Sequence, residues 1–314
     1  MKKTSAAALA LLGAGAAAAA AARVCWRQVF KKGPQEDFTT REHSPDSPFT
    51  RYREELYRGL DYIDSLDWER VYITSGDGLR LSALYHHTEG EKSLAILCHG
   101  YRSTGRSDFS CAVEPFVAAK RSILLIDQRG SGESEGKSIT FGVKERHDVL
   151  AWAEYAAERF PGLPIVLQGI SMGAAAVLMC ADMDLPRSVA GIVADCGYTA
   201  PRDIICGVAR TKRLPCGLLW PLVRLGAALY GGFDPDGASA EKSLRRARVP
   251  VLFIHGEADD YVPCEMSRRN AAACASRSMT VTVPGAGHGF AYLADTDKVQ
   301  RALDEFLRDY CGIK

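Results

Sequence analysis

A serine between two glycines, a histidine between two glycines and a run of acids behind an apolar strand are the residues of this chain that could do covalent chemistry together. Ser171 lies in Gly169-Ile170-Ser171-Met172-Gly173. The apolar stretch Ile165–Gln168 enters it, and Ala174-Ala175-Ala176 leaves it. That pattern is a sharp strand-to-helix turn, which lifts its central residue above the edge of a sheet. Such a turn needs small residues on either side, and Gly169 and Gly173 supply them. The unpaired N–H groups that open the following helix, that of Met172 first, can stabilise an oxyanion.

A serine hydroxyl needs a base. Pro284-Gly285-Ala286-Gly287-His288-Gly289 follows an apolar strand and puts an imidazole on a loop free to turn outward, with a pKa suited to neutral pH. His43, His86, His87 and His147 fit less well, lying in polar stretches or on an exposed helix. The base in turn needs a carboxylate to fix its tautomer and stabilise the imidazolium. Val251–Pro263 offers Glu257, Asp259 and Asp260 after an apolar strand. Asp259 is the expected acid, Asp260 suits a helix N-cap, and Asp195, at another strand end, is held in reserve. A second oxyanion donor is expected from the N–H of Tyr101, in Leu94–Tyr101, with His99 bracing that loop. The loop Asp127–Ser134 lacks the Lys-Ser/Thr ending of a phosphate cradle and reads as a structural turn. The ten cysteines include no Cys-x-x-Cys pair. They read as mostly reduced thiols, which favours a reducing setting, and neither metal nor cofactor is expected.

The elements that must position these residues alternate. Strands are expected at Val71–Thr74, Leu79–Tyr85, Leu94–Cys98, Ile123–Asp127, Ile165–Gln168, Ala190–Asp195, Val249–His255 and Met279–Val283. Helical patterns cover Arg51–Leu66, Val143–Arg159, Ala174–Ala181, Glu265–Ala275 and Asp297–Tyr310. Alternation of this kind implies a mostly parallel sheet covered on both faces, an α/β fold. Residues 200–248 interrupt it with two apolar helical patterns, which are expected to form a small cap over the carboxyl ends of the strands. An apolar substrate pocket is expected beneath that cap, with Trp220, Leu219 and Tyr198 as its lining.

Apolar content of 47% and charged content of 25% exclude a disordered or fibrous chain. With a formal charge of +1 and no basic stripe, nucleic acid is excluded as a partner. Residues 4–22 are uncharged and rich in Ala, Leu and Gly, between Lys2-Lys3 and Arg23, Arg27, Lys31 and Lys32. They read as a single membrane span or, alternatively, a signal cleaved after Ala20-Ala21-Ala22. Residues 1–32 are therefore set apart as an anchor segment and its flank, 33–50 as a linker, and 51–314 as the catalytic domain. Its free thiols lean that domain towards the cytoplasmic side, while its oligomeric state stays open.

His-Gly at 99–100, Asp-x-Arg-Gly-x-Gly-x-Ser at 127–134, Gly-Ile-Ser-Met-Gly, His-Gly-x-x-Asp at 255–259 and Gly-His at 287–288, in this order, resemble the α/β-hydrolases. The resemblance is closest to serine aminopeptidase-like and cinnamoyl-esterase-like bacterial members. Stretches such as Ile139–Arg146 and Ala194–Thr199 are similar to those of membrane-anchored bacterial hydrolases. The resemblance implies a sheet of about eight strands, Ser171 as nucleophile, His288 as base and Asp259 as acid, in the family's chain order. It implies a serine hydrolase that cleaves an ester, thioester or amide of a small acyl substrate through an acyl-enzyme. An aminopeptidase-like amidase and a non-catalytic binding or accessory protein on the same fold are the alternatives.

Overall fold

Eight strands form one sheet in the computed structural model, which describes residues 2–35, 39 and 41–314, with side chains in the N-terminal helix from Gly13 on. They are β1 (Glu69–Thr74), β2 (Arg80–His86), β3 (Ser93–Cys98), β4 (Arg121–Asp127), β5 (Ile165–Ile170), β6 (Val189–Asp195), β7 (Val251–Gly256) and β8 (Ser278–Val283). Their order is β1-β2-β4-β3-β5-β6-β7-β8. β2 runs antiparallel to β1 and β4, and every other pairing is parallel. All eight expected strands are present. β3 and β7 are buried along their whole length, as a sheet covered on both faces requires, whereas the edge strand β1 alternates.

The helices follow the expected pattern with additions, among them short helices at Pro48–Arg51 and Ala291–Ala294. Short helices at Gly105–Asp108 and Ser110–Ala118 follow β3, where no helical pattern was expected. Pro115 inside the second hides it from a reading by periodicity. It packs Val113 and Phe116 against β3 and β4.

The cap consists of helices Pro201–Thr211 and Cys216–Gly226, a π-helical turn Ala227–Gly231 and a short helix Ala240–Leu244. A disulfide joins Cys206 to Cys216 and so ties the first two cap helices together. The expectation of mostly reduced thiols named no pair, and these two, with nine residues between them and no recognised motif, are the exception. The other eight cysteines are free.

The N-terminal helix spans Lys2–Val29. Its last turns pack into the domain. Ala22 is fully buried against Gly226, where a Cβ would lie 2.3 Å from the Ala22 carbonyl oxygen. Phe30 is fully buried, with edge-on contacts to Phe141 and Phe233. Residues 4–12 of the expected span lie outside the described side chains. Among the described residues, no helix is long and apolar enough to cross a membrane.

Candidate active site

β5 delivers Ser171 with φ 55° and ψ −112°, a left-handed conformation that a serine adopts only when its surroundings impose it. The two glycines are what the crossing chains demand. A Cβ on Gly169 would lie 2.2 Å from the backbone of Gly173, and one on Gly173 would lie 1.9 Å from the carbonyl oxygen of Cys98. The Ser171 N–H donates to the carbonyl of Asp195 at 2.8 Å, fixing the turn to the end of β6.

Three distant loops meet at this serine. His288 Nε2 lies 2.9 Å from Ser171 Oγ, and His288 Nδ1 lies 2.7 Å from Asp259 Oδ2. A carboxylate only accepts, so Nδ1 carries the proton and Nε2 is left to accept from the serine hydroxyl. Asp259 Oδ1 accepts from the N–H groups of Tyr261 and Val262, at 2.9 and 2.8 Å. Its other oxygen also lies 3.2 Å from Nε2 of His255, whose ring is held by the Val262 carbonyl and the Ser267 hydroxyl. Burial disfavours charge on the Asp259 carboxyl, but hydrogen bonds from His255 and His288 outweigh it and hold the group down to about 2. It is therefore ionised at neutral pH. Glu257 and Asp260 are exposed, away from the ring.

The reserve acid does not reach the imidazole. Asp195 is buried beside Ser171, its Oδ1 has no hydrogen-bond partner, and burial pushes its carboxyl up to about 6.

Gly100 comes close to the nucleophile: a Cβ there would lie 3.6 Å from the Ser171 Cβ. Its loop is braced twice. His99 Nδ1 lies 2.8 Å from the Gly100 carbonyl, and the Gln128 N–H donates to His99 Nε2 at 3.2 Å. Asp108 accepts from the Gly100 N–H at 2.6 Å and from the Ser103 hydroxyl at 2.5 Å. Asp108 and Gln128 are bracing residues that motif reading missed; an acid eight residues past a His-Gly pair carries no signal until the Gly105–Asp108 helix turns it back. The loop after β4 is a structural turn as expected, with Arg129 buried between Asp148 and Asp77.

A cavity of about 430 Å³ opens beside Ser171 and His288, within the usual range for small-molecule sites of about 300–1,000 Å³. It does not lie under the cap. Its walls are the Ser110–Ala118 helix, residues of the expected linker (Arg41, Phe49) and Leu56, and the segment from Phe290 to Leu303. Trp220, Leu219 and Tyr198 do not line it. Trp220 and Tyr198 are buried in the main core, where Trp220 donates to Asp236. Apolarity at Trp220 in the cap and at Tyr198 before it is a packing signal, and the cavity instead follows the helix that Pro115 concealed.

Cys196, Asp259 and His288 place potential ligand atoms within 4.8 Å of one another. Both ring nitrogens of His288 already face Asp259 and Ser171, and burial keeps the Cys196 thiol protonated. A cation there would have to displace the Asp259–His288 contact.

A family model described as serine aminopeptidase, S33, matches residues 90–224, and one described as TAP-like protein matches residues 233–310. The Pyrococcus furiosus esterase PF2001 is similar in structure, with a TM-score of 0.64 and 21% identity, covering 90% of this chain and 99% of that one. Est1E from Butyrivibrio proteoclasticus, solved with ferulic acid bound, is similar with a TM-score of 0.57 and 22% identity, covering 76% and 98%. The sheet, its order and these matches make the chain an enzyme of the α/β-hydrolase fold. Among curated sequences it is similar to the uncharacterized YqkD of Bacillus subtilis, 22% identical over 260 residues, or 81% of this chain and 85% of that one. An uncharacterized Mycobacterium tuberculosis protein is 29% identical over 245 residues, covering 76% and 79%.

Proposed function

We propose that the chain hydrolyses carboxylic esters with a compact apolar acyl group, through an acyl-enzyme on Ser171. One observation carries the reading: a serine, an imidazole and an ionised carboxylate in hydrogen-bond succession, at the wall of an apolar cavity. His288 Nε2 takes the proton as Ser171 Oγ attacks the carbonyl carbon. The N–H groups of Met172 and Tyr101 hold the oxyanion. His288 then gives its proton to the leaving alcohol, and a water, deprotonated by the same ring, releases the acid. Asp259 keeps the ring in the required tautomer throughout.

An ester is favoured over an aminoacyl amide by where the acids lie. A free substrate amine needs a carboxylate at the cavity rim, and Asp203, Asp234, Asp236 and Glu241 of the cap are engaged instead with Arg269, Arg224 and Arg245. None of the four lines the cavity; the two acids that do are Asp108, which accepts from the Gly100 N–H and the Ser103 hydroxyl, and Asp195, whose charge burial disfavours.

A fluorophosphonate probe should label Ser171, and Ser171→Ala and His288→Ala should each abolish p-nitrophenyl ester turnover in folded protein. Ala112→Phe, which fills the cavity wall, should suppress octanoyl more than acetyl ester turnover. An unlabelled Ser171 favours a non-catalytic accessory role, and faster turnover of aminoacyl p-nitroanilides than of esters favours the amidase. Membrane association through residues 4–22 belongs to the same proposal. The cap disulfide favours an oxidising compartment for the catalytic domain, against the lean from the free thiols.

A further inference from the structure

Arg224 apart, the second cap helix and the π-helical turn that follows it are apolar on every side. Cys216, Trp220, Val223 and Ala227 face inward and are buried. On the opposite side Leu214, Leu218, Leu225 and Leu229 are 47, 77, 37 and 56% exposed. With Pro221 exposed and Leu222 half-buried between them, these positions fall on one stripe at helical spacing. A helix apolar all round belongs in a core or in contact with lipid. No water-facing helix gains from a leucine stripe, and a contiguous patch of this kind marks an interaction surface.

Two further observations say what covers it. The N-terminal helix packs along this cap helix, with Tyr230 donating to the Ala19 carbonyl at 3.1 Å, and then runs on beyond it, exposed from Gly13 to Ala17. The stripe is therefore continuous with a projecting segment that offers only alanine and glycine. Charge is also segregated. Residues 1–35 carry six basic and no acidic side chains, and residues 204–233 carry four basic and no acidic ones. The rest of the chain carries twenty-nine basic and thirty-eight acidic residues. Arg23, Arg27, Arg210, Lys212 and Arg213 are all exposed. Arg224 pairs with Asp234 and Asp236, but these five form no ion pair among the described residues; leucines rimmed by such cations match the acyl and headgroup layers of an anionic bilayer.

We propose that the outer face of the cap, from Leu214 to Leu229, lies against the surface of an anionic lipid bilayer alongside the N-terminal helix. This extends the membrane association proposed above from a tail to the catalytic domain itself. The leucines enter the acyl boundary, and the Arg210–Arg213 turn meets the headgroups. The domain is then held in one orientation rather than swinging on a tether.

Hydrogen exchange on the full chain tests this, with and without vesicles of phosphatidylcholine containing phosphatidylglycerol. Amides of residues 214–230 should exchange at least about fivefold more slowly on the vesicles. Leu218→Asp with Leu225→Asp should remove that protection while p-nitrophenyl acetate turnover stays at the wild-type rate. High salt, or phosphatidylcholine alone, should weaken the protection. Vesicle-bound chain whose cap exchanges at the free rate overturns the proposal, because the N-terminal segment then anchors alone. Protection that grows with protein concentration in the absence of lipid also overturns it and assigns the stripe to a second copy. Ester turnover is measured on the same samples in free solution, so a chain that docks but does not cleave esters fails the proposed chemistry and not this one.

Discussion

The Tyr101 hydroxyl donates to the carbonyl of Val29 at 2.9 Å, tying the last turn of the N-terminal helix to the residue expected to supply an oxyanion N–H. The Tyr101 ring also packs on Phe141, which contacts Phe30. The segment set apart in the sequence as an anchor thus ends against the catalytic loop. Tyr101→Phe removes only the hydroxyl, and a net hydrogen bond contributes about 0.5–1.5 kcal/mol. Ester kcat should fall about threefold to tenfold with KM little changed, as steady-state kinetics will read.

Asp108 braces the same loop from the cavity wall. Asp108→Ala leaves the Gly100 N–H without its acceptor, a loss of about 1–3 kcal/mol for a buried donor. Asp108→Asn keeps an acceptor oxygen in place. The alanine variant should lose about tenfold to a hundredfold in kcat, and the asparagine variant should recover most of it. Equal losses in the two would show that charge, not the hydrogen bond, is what the loop requires.

Asp259 and Asp195 should respond to pH in opposite senses. The Asp259 carboxyl is held below its unfolded value, so it contributes about 2 kcal/mol above that value, lost as pH falls from about 4 towards 2. Burial raises the Asp195 carboxyl to about 6, so its ionisation costs stability increasingly as pH rises from about 4 through 6. Asp195→Asn should therefore melt higher than wild type at pH 8 and level with it near pH 4, at little cost in ester turnover. Asp259→Asn should lose about 10⁴-fold in kcat at pH 7. A comparable loss in Asp195→Asn would return the acid's role to the strand end of β6.

The Cys206–Cys216 bond closes a loop whose ends are ten residues apart, for which chain entropy gives about 2–3 kcal/mol. Cys206→Ser with Cys216→Ser, or reduction, should lower the melting temperature by a few degrees while Ser171 still labels with the fluorophosphonate probe. Loss of labelling as well would show that the cap positions the site.

Local pattern was enough to read the strands, the elbow and the order in which serine, acid and histidine occur. A strand is a run of five or six residues with a periodicity of its own, and Gly169 and Gly173 advertise a turn by lacking side chains. Asp259 was separable from Asp260 only by its place relative to β7, and the structure adds the His255 and backbone contacts that keep it charged. The helix Ser110–Ala118 was illegible because Pro115 interrupts its pattern. The cavity it lines was missed with it.

The sequence by itself determined which side chains could pass a proton and which strands carry them, because both follow from residue type and short-range spacing. Only the tertiary structure decided where the acyl group fits, which cysteines pair, and that the N-terminal helix ends on Tyr101. The disulfide apart, which spans ten residues, those are contacts between segments tens to hundreds of residues apart, and their partners are selected by packing around the finished sheet, a relation that no local pattern encodes.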